Sequence, residues 1–229
     1  MKLLLISASG KPYLEHCRNE IASFLSPIRE LHFVTAAAFS DEPAYHGKVV
    51  EALSPLGITV HHLRWDQDPV GTLAKAKAVF VGGGNTYLLL HRLTEAKLLK
   101  PLRERVKSGM PYVGSSAGSN IAGPNLLTTN DWNVVGTTHF EGLGLVPFNI
   151  NPHYLEVDPQ VAAAAETRDE RISQYHVVNR NPVLGVEESA ILKVEGESVQ
   201  IVGKGRVRLF SAGKPFKDHR TGTKIALES

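Results

Sequence analysis

Residues 112–120 read Tyr-Val-Gly-Ser-Ser-Ala-Gly-Ser-Asn, and they carry the strongest chemical signal in the chain. An apolar strand runs into Gly-x-Ser-x-Gly with Ser116 at its centre. That pattern seats a serine on a sharp strand-to-helix turn and lifts its hydroxyl clear of the sheet. The flanking glycines let the backbone bend without a Cβ clash. The chemistry is acyl transfer: the hydroxyl attacks a carbonyl, and backbone N–H groups of the next turn hold the oxyanion. Gly and Ser also populate ordinary turns, so the pentapeptide needs partners before it means a nucleophile.

A hydroxyl is a poor nucleophile until a neighbour accepts its proton, and histidine suits that role near neutral pH. The chain has ten histidines. His61 and His62 lie in or after a strand and His91 lies on a helix, where surface or packing roles are the default. His153 follows a strand in Ile150-Asn151-Pro152-His153-Tyr154. Loops at the carboxyl ends of strands line the crevice of an open α/β sheet, and Ser116 ends a strand too. A plain loop histidine beside a proline is the competing reading. Val81-Gly82-Gly83-Gly84-Asn85-Thr86 leaves an apolar strand and opens a helix, which suits oxyanion donors. The N–H groups of Gly84 and Ala117 are expected to form the hole. The alternative, a phosphate loop, lacks Gly-Lys-Ser/Thr and the full Gly-x-Gly-x-x-Gly spacing. Asp131 and Glu188 are two candidates for the carboxylate that would orient the imidazole. Spacing does not choose between them, and each alone reads as readily as a cap, turn or surface acid.

These residues need a scaffold. Strands over Lys2–Ile6, Leu31–Thr35, Ile58–Leu63, Ala78–Val81 and Tyr112–Gly114 alternate with helices over Tyr13–Leu25, Tyr45–Leu53, Val70–Lys77, Thr86–Leu93 and Lys100–Lys107. Alternation of this kind predicts a mostly parallel sheet with helices on both faces. Further on, Phe148–Asn151 reads as a strand and Ala162–Gln174 as a helix. Ala190–Val194 and Ser198–Val202 flank Glu195-Gly196 as a hairpin, and Val207–Phe210 adds a strand. No repeat or linker divides the chain, so residues 1–229 are expected to form one α/β domain.

The totals narrow the class. A chain of 229 residues, 42% hydrophobic and 21% charged, is that of a globular protein with a sizeable core. The net charge of +2 carries no dense basic stripe, which argues against nucleic acid. The basic stretch Lys214–Lys224 reads as solvated surface. Cys17 is the single cysteine and falls at helical spacing with Leu14, Ile21 and Phe24, as a small buried hydrophobe does. A lone cysteine fits a reducing compartment, and no stretch is long enough to span a membrane. A cytoplasmic location is expected. No Cys/His cluster has ligand spacing and no His-Glu-x-x-His occurs, so neither metal nor organic cofactor is implied.

The segments GGGNT at 82–86, GSSAG at 114–118, TTND at 128–131, NINPHY at 149–154 and ETRDERI at 166–172 together resemble the peptidase E family. These are α-aspartyl dipeptidases, serine peptidases related in fold to class I glutamine amidotransferases. The resemblance covers nearly the whole chain. It implies a flavodoxin-like, class I amidotransferase-like fold with C-terminal β-hairpin additions, and hydrolysis of Asp-Xaa dipeptides. It makes Ser116 the nucleophile and His153 the base, and it makes Arg168 of the ETR motif the grip on the substrate's aspartyl carboxylate. It places the third member at either Asp131 or Glu188. Glu188 is the preferred partner of His153, which leaves Asp131 to shape the pocket or bind the substrate amine. Trp132-Asn133 stand where the family continues with Met-Pro, and Ser189 stands where Gly is common. The expected partner is a small peptide. A homodimer is compatible with the sequence. The rival readings are a cyanophycinase-like β-aspartyl hydrolase and a non-catalytic binding protein on the same scaffold.

Overall fold

The computed structural model describes residues 1–40, 42–155 and 166–226. Its larger sheet has eight strands. Five are parallel neighbours: β1 (Lys2–Ile6), β2 (Glu30–Val34), β3 (Thr59–Leu63), β4 (Val79–Val81) and β5 (Tyr112–Ser115). β8 (Ala190–Glu195), β9 (Ser198–Gly203) and β12 (Lys224–Ile225) extend it antiparallel beyond β1, giving the order β12-β9-β8-β1-β5-β4-β2-β3. β6 (Asn149–Pro152), β7 (Val183–Val186), β10 (Arg206–Phe210) and β11 (Lys217–Arg220) form a second sheet in the order β11-β10-β7-β6.

The alternation of β1 shows why both faces are covered. Successive side chains of a strand point to opposite faces. Leu4 and Ile6 join one core with residues of α1 (Arg18–Leu25) and α2 (Glu42–Leu53), among them Ile21, Val49 and Leu53. Leu3 and Leu5 join the other core, which contains Leu73 of α3 (Pro69–Lys75), Leu89 of α4 (Thr86–Glu95) and Leu102 of α5 (Leu99–Lys107). That second core also takes in Ile150, Leu184, Val186 and Val207 of the smaller sheet. Shared burial thus fixes the small sheet against the large one and brings the carboxyl ends of β6 and β7 toward those of β1, β4 and β5.

Several segments differ from their sequence patterns. The helix expected over Tyr13–Leu25 starts only at Arg18. Residues 10–17 make successive turns, with Leu14 at φ 58° and its N–H donated to the Ser9 carbonyl at 2.7 Å. A left-handed residue breaks a right-handed helix, yet Leu14 and Cys17 are fully buried as the spacing required. The helix expected over Ala162–Gln174 lies partly outside the described residues; its described part is α7 (Arg168–Val178). Thr167-x-x-Glu170 is a capping box and sets that start: the Thr167 hydroxyl takes the Glu170 N–H, and Glu170 takes the Thr167 N–H. Lys214–Lys224 is not simply solvated surface, since it supplies β11 as the edge of the smaller sheet. Among the described residues, no helix is long and apolar enough to cross a membrane.

Candidate active site

Ser116 closes β5 at φ 51° and ψ −110°, a conformation that few residues other than glycine tolerate. Its neighbours enforce it. α6 (Ala117–Asn120) turns back across β4 so closely that a Cβ on Gly118 would collide with the Val81 carbonyl. Gly118 is therefore there for close approach, and Ser116 itself takes the strained turn. The N–H of Ser116 donates to the Ile6 carbonyl at 3.0 Å, which pins the turn to β1.

His153 stands at the end of β6, with φ 54°. Its Nε2 lies 2.9 Å from Oγ of Ser116. Two serines after β1, which the sequence reading did not single out, hold these residues in place. The His153 N–H donates to Oγ of Ser7 at 2.8 Å, and the Ser7 hydroxyl donates to the Val186 carbonyl at 2.7 Å. The hydroxyls of Ser9 and Ser115 share a hydrogen bond of 2.8 Å. A Ser-x-Ser after the first strand was the available signal, but its partners are more than a hundred residues away in sequence.

The two carboxylates lie in different places. Glu188, just after β7, has Oε1 3.4 Å from Nδ1 of His153. Asp131 faces the start of α4: Oδ2 accepts the Thr86 N–H at 2.7 Å and the Thr86 hydroxyl at 2.6 Å. A carboxylate at a helix N-terminus satisfies an orphan donor and favours the dipole. Asn85 caps the same helix by accepting the Leu88 N–H at 2.9 Å, and its amide donates to the Trp132 carbonyl at 3.0 Å. The Thr-Thr-Asn-Asp segment is thus strapped to the helix that follows the glycine loop. Trp132 points outward, 83% exposed, and Asn133 closes a turn with Thr137.

The glycine loop abuts Ser116. A Cβ on Gly83 would stand 3.1 Å from Cβ of Ser116. The Gly83 N–H donates to the Tyr45 hydroxyl at 2.8 Å, whereas the N–H groups of Gly84 and Ala117 have no hydrogen-bond partner among the described residues. Gly84 adopts φ 140°, and a Cβ there would collide with the Ala37 carbonyl. Only glycine fits such a position.

Arg168 opens α7 and donates to the side-chain carbonyl of Asn130. Asn130 was quoted in the sequence only as part of a motif, but it is a hub. Its Oδ1 also accepts from the Asn151 amide at 2.9 Å, and its own amide donates to the Pro152 carbonyl, next to His153, at 2.8 Å. A cavity of about 410 Å³ opens here, lined in part by Thr129, Asn130, Asn151, Glu166, Arg168 and Arg171. Partial burial, then the nearby Arg171 charge, pull the Arg168 guanidinium below its usual value, which still leaves it a cation. Arg171 is paired with Glu166 at 2.9 Å. A larger depression of about 560 Å³ lies at the opposite ends of the strands, around Lys2 and Pro111, and touches none of these residues. Among the described residues, no group of three His, Cys, Asp or Glu could hold a metal ion.

A mostly parallel α/β sheet that ends a strand on a strained serine, hydrogen-bonded to a histidine, defines the serine-hydrolase class. The chain belongs to peptidase family S51, whose sequence model matches residues 3–202. It is 42% identical to "Peptidase E" of Streptomyces coelicolor over 229 residues, covering 99% of this chain and 94% of the relative. It is 43% identical to "Probable alpha-aspartyl dipeptidase" of Drosophila melanogaster over 216 residues, covering 92% and 90%. In fold it is similar to the crystal structure of a peptidase from an acI-B1 Actinobacterium, with TM-score 0.75, 18% identity, and coverage of 99% and 96%.

Proposed function

We propose that this enzyme is a serine dipeptidase that hydrolyses Asp-Xaa dipeptides through an acyl-enzyme on Ser116. One observation carries the mechanism: Oγ of Ser116 lies 2.9 Å from Nε2 of His153, on a residue held in a strained turn. Nε2 takes the hydroxyl proton as Oγ attacks the peptide carbonyl. Nδ1 then carries the other proton toward Glu188, whose charge stabilises the imidazolium. The N–H groups of Gly84 and Ala117 receive the oxyanion; their lack of other partners supports that assignment. His153 next protonates the leaving amine, and water resolves the ester by the same route in reverse.

The aspartyl side chain goes to Arg168, whose guanidinium offers donors beyond the one used by Asn130. Asp131 is assigned to fixing the start of α4 and, through it, the glycine loop. The domain is taken as residues 1–229. A cytoplasmic location is supported by a single cysteine that is buried and free. The exposed apolar side chains Leu155, Val177 and Val178 support a homodimer. The decisive experiment is steady-state hydrolysis of Asp-Leu, Ala-Leu and β-Asp-Arg by the purified chain. A strong preference for Asp-Leu over Ala-Leu and β-Asp-Arg is expected. Preference for β-Asp-Arg would shift the reading to a cyanophycinase-like enzyme, and no cleavage of any of the three would remove it.

A further inference from the structure

The mechanism uses only part of the surface around His153. A second groove, of about 290 Å³, opens beside Glu188 and is lined by Ala8, Gly10, Lys11, Pro12 and His16 of the loop after β1. This loop starts at the catalytic groups, since Ser7 holds the His153 N–H and Ser9 holds Ser115. We propose that this groove is the subsite for the leaving residue of the dipeptide, and that Lys11 binds that residue's free carboxylate. The proposal rests on the dipeptidase reading above and deepens it.

Two arguments support the assignment. The first is directional. The nitrogen that takes the serine proton must hand it to the leaving amine, so the leaving residue has to lie on the imidazole side of the scissile bond. Glu188 adjoins that imidazole at Nδ1, and the groove begins at Glu188. The cavity bearing Arg168 is separate and shares no lining residue with the groove. One site therefore suits the acyl residue and the other the leaving residue.

The second argument is charge. Glu15 also lines the groove but is paired with Arg18 at 3.4 Å, and Glu188 is directed to Nδ1 of His153 at 3.4 Å, whose ring becomes its cationic partner once it has taken the Ser116 proton. Lys11 has no ion-pair partner among the described residues, is exposed and lines the groove. A compact ammonium on a flexible stem suits a single terminal carboxylate. A longer peptide would bring a neutral amide to the same place. This geometry gives the enzyme a preference for dipeptides by charge.

The test compares Asp-Leu with Asp-leucinamide, which differ only in the terminal carboxylate, in the full chain and in Lys11→Met, Lys11→Arg and Lys11→Glu. Wild-type kcat/KM is expected to favour Asp-Leu by about tenfold, the scale of a hydrogen bond to a charged group. The ratio should fall to about one in Lys11→Met, stay near the wild-type value in Lys11→Arg and drop below one in Lys11→Glu. A wild-type ratio of one, or a ratio unmoved by Lys11→Met and Lys11→Glu, overturns the subsite while leaving the dipeptidase standing. Failure of the wild type to cleave either compound overturns the dipeptidase reading and the subsite with it.

Discussion

Oε1 of Glu188 stands 3.4 Å from Nδ1 of His153 while three-quarters of the Glu188 side chain, 75%, remains in solvent. The contact is long and screened, unlike the buried carboxylate of a chymotrypsin-type triad. Glu188→Gln is therefore expected to lower kcat on Asp-Leu about 10- to 100-fold, less than the ~10⁴ of a buried triad aspartate. Asp131→Asn should lower kcat less and lower Tm more, because it weakens the hydrogen bonds at the start of α4. Paired kinetics and thermal unfolding of both variants check this. A collapse of kcat in Asp131→Asn alone would reverse the two roles.

Removing the Ser116 hydroxyl should abolish turnover without harming the fold. The turn at φ 51° and ψ −110° suits glycine better than any residue with a Cβ. Strain of this kind costs about 1–3 kcal/mol, against roughly 0.5–1 kcal/mol for the extra chain entropy of glycine. Ser116→Gly should thus be inactive with a Tm at or above wild type. Calorimetry beside an Asp-Leu assay reads both; a clear drop in Tm would contradict the strain argument.

Arg168→Met should erase the preference for Asp-Leu over Ala-Leu. Arg168 is half-buried and braced by Asn130, so the expected loss in kcat/KM on Asp-Leu is about 30- to 300-fold, the lower part of the range for a truncated buried charge pair. Ala-Leu, which has no side-chain carboxylate, should change little. Equal losses on both substrates would mean general damage rather than lost recognition.

A pH prediction follows from the ion-pair cluster that joins α7 to the smaller sheet. Arg208, only 3% exposed, donates to Asp218 at 2.7 and 2.8 Å and to Asp169 at 2.9 Å. Its hydrogen bonds hold the Asp218 carboxyl below the usual aspartate value. A carboxyl lowered on folding adds stability above its unfolded value and loses it as pH falls through the folded one. Asp218→Asn should lower Tm at about pH 7, and the gap to wild type should close as pH falls below about 4. Asp218 is about one-third exposed, 34%, so the effect should be modest. An equal gap at both pH values would rule out the charge as its source.

The sequence by itself determined the parts whose signals are local. A strand, a Gly-x-Ser-x-Gly turn and a glycine loop opening a capped helix each need only neighbouring residues, so Ser116 and the Gly82–Gly84 loop could be read directly. The alternation of buried strands and amphipathic helices fixed the parallel half of the large sheet in the same way. Tertiary structure decided what depends on distant pairing. In the smaller sheet β6 and β10 were legible as apolar runs, but β7 is only Val-Leu-Gly-Val and β11 is Lys-Asp-His-Arg, an edge strand whose Asp218 is matched by Arg206 and Arg208 across the ladder, so neither could be read locally. The turns at 10–17 kept the helical spacing of their buried side chains without the helix. Where the two carboxylates lie was also beyond local pattern. Asp131 sits fifteen residues after Ser116 and Glu188 seventy-two, yet only packing of the second sheet on the first carries β6 and β7 to the side of Ser116. Sequence distance holds no information about which acid meets the imidazole, because burial of Ile150, Leu184 and Val186 against the large sheet sets that geometry.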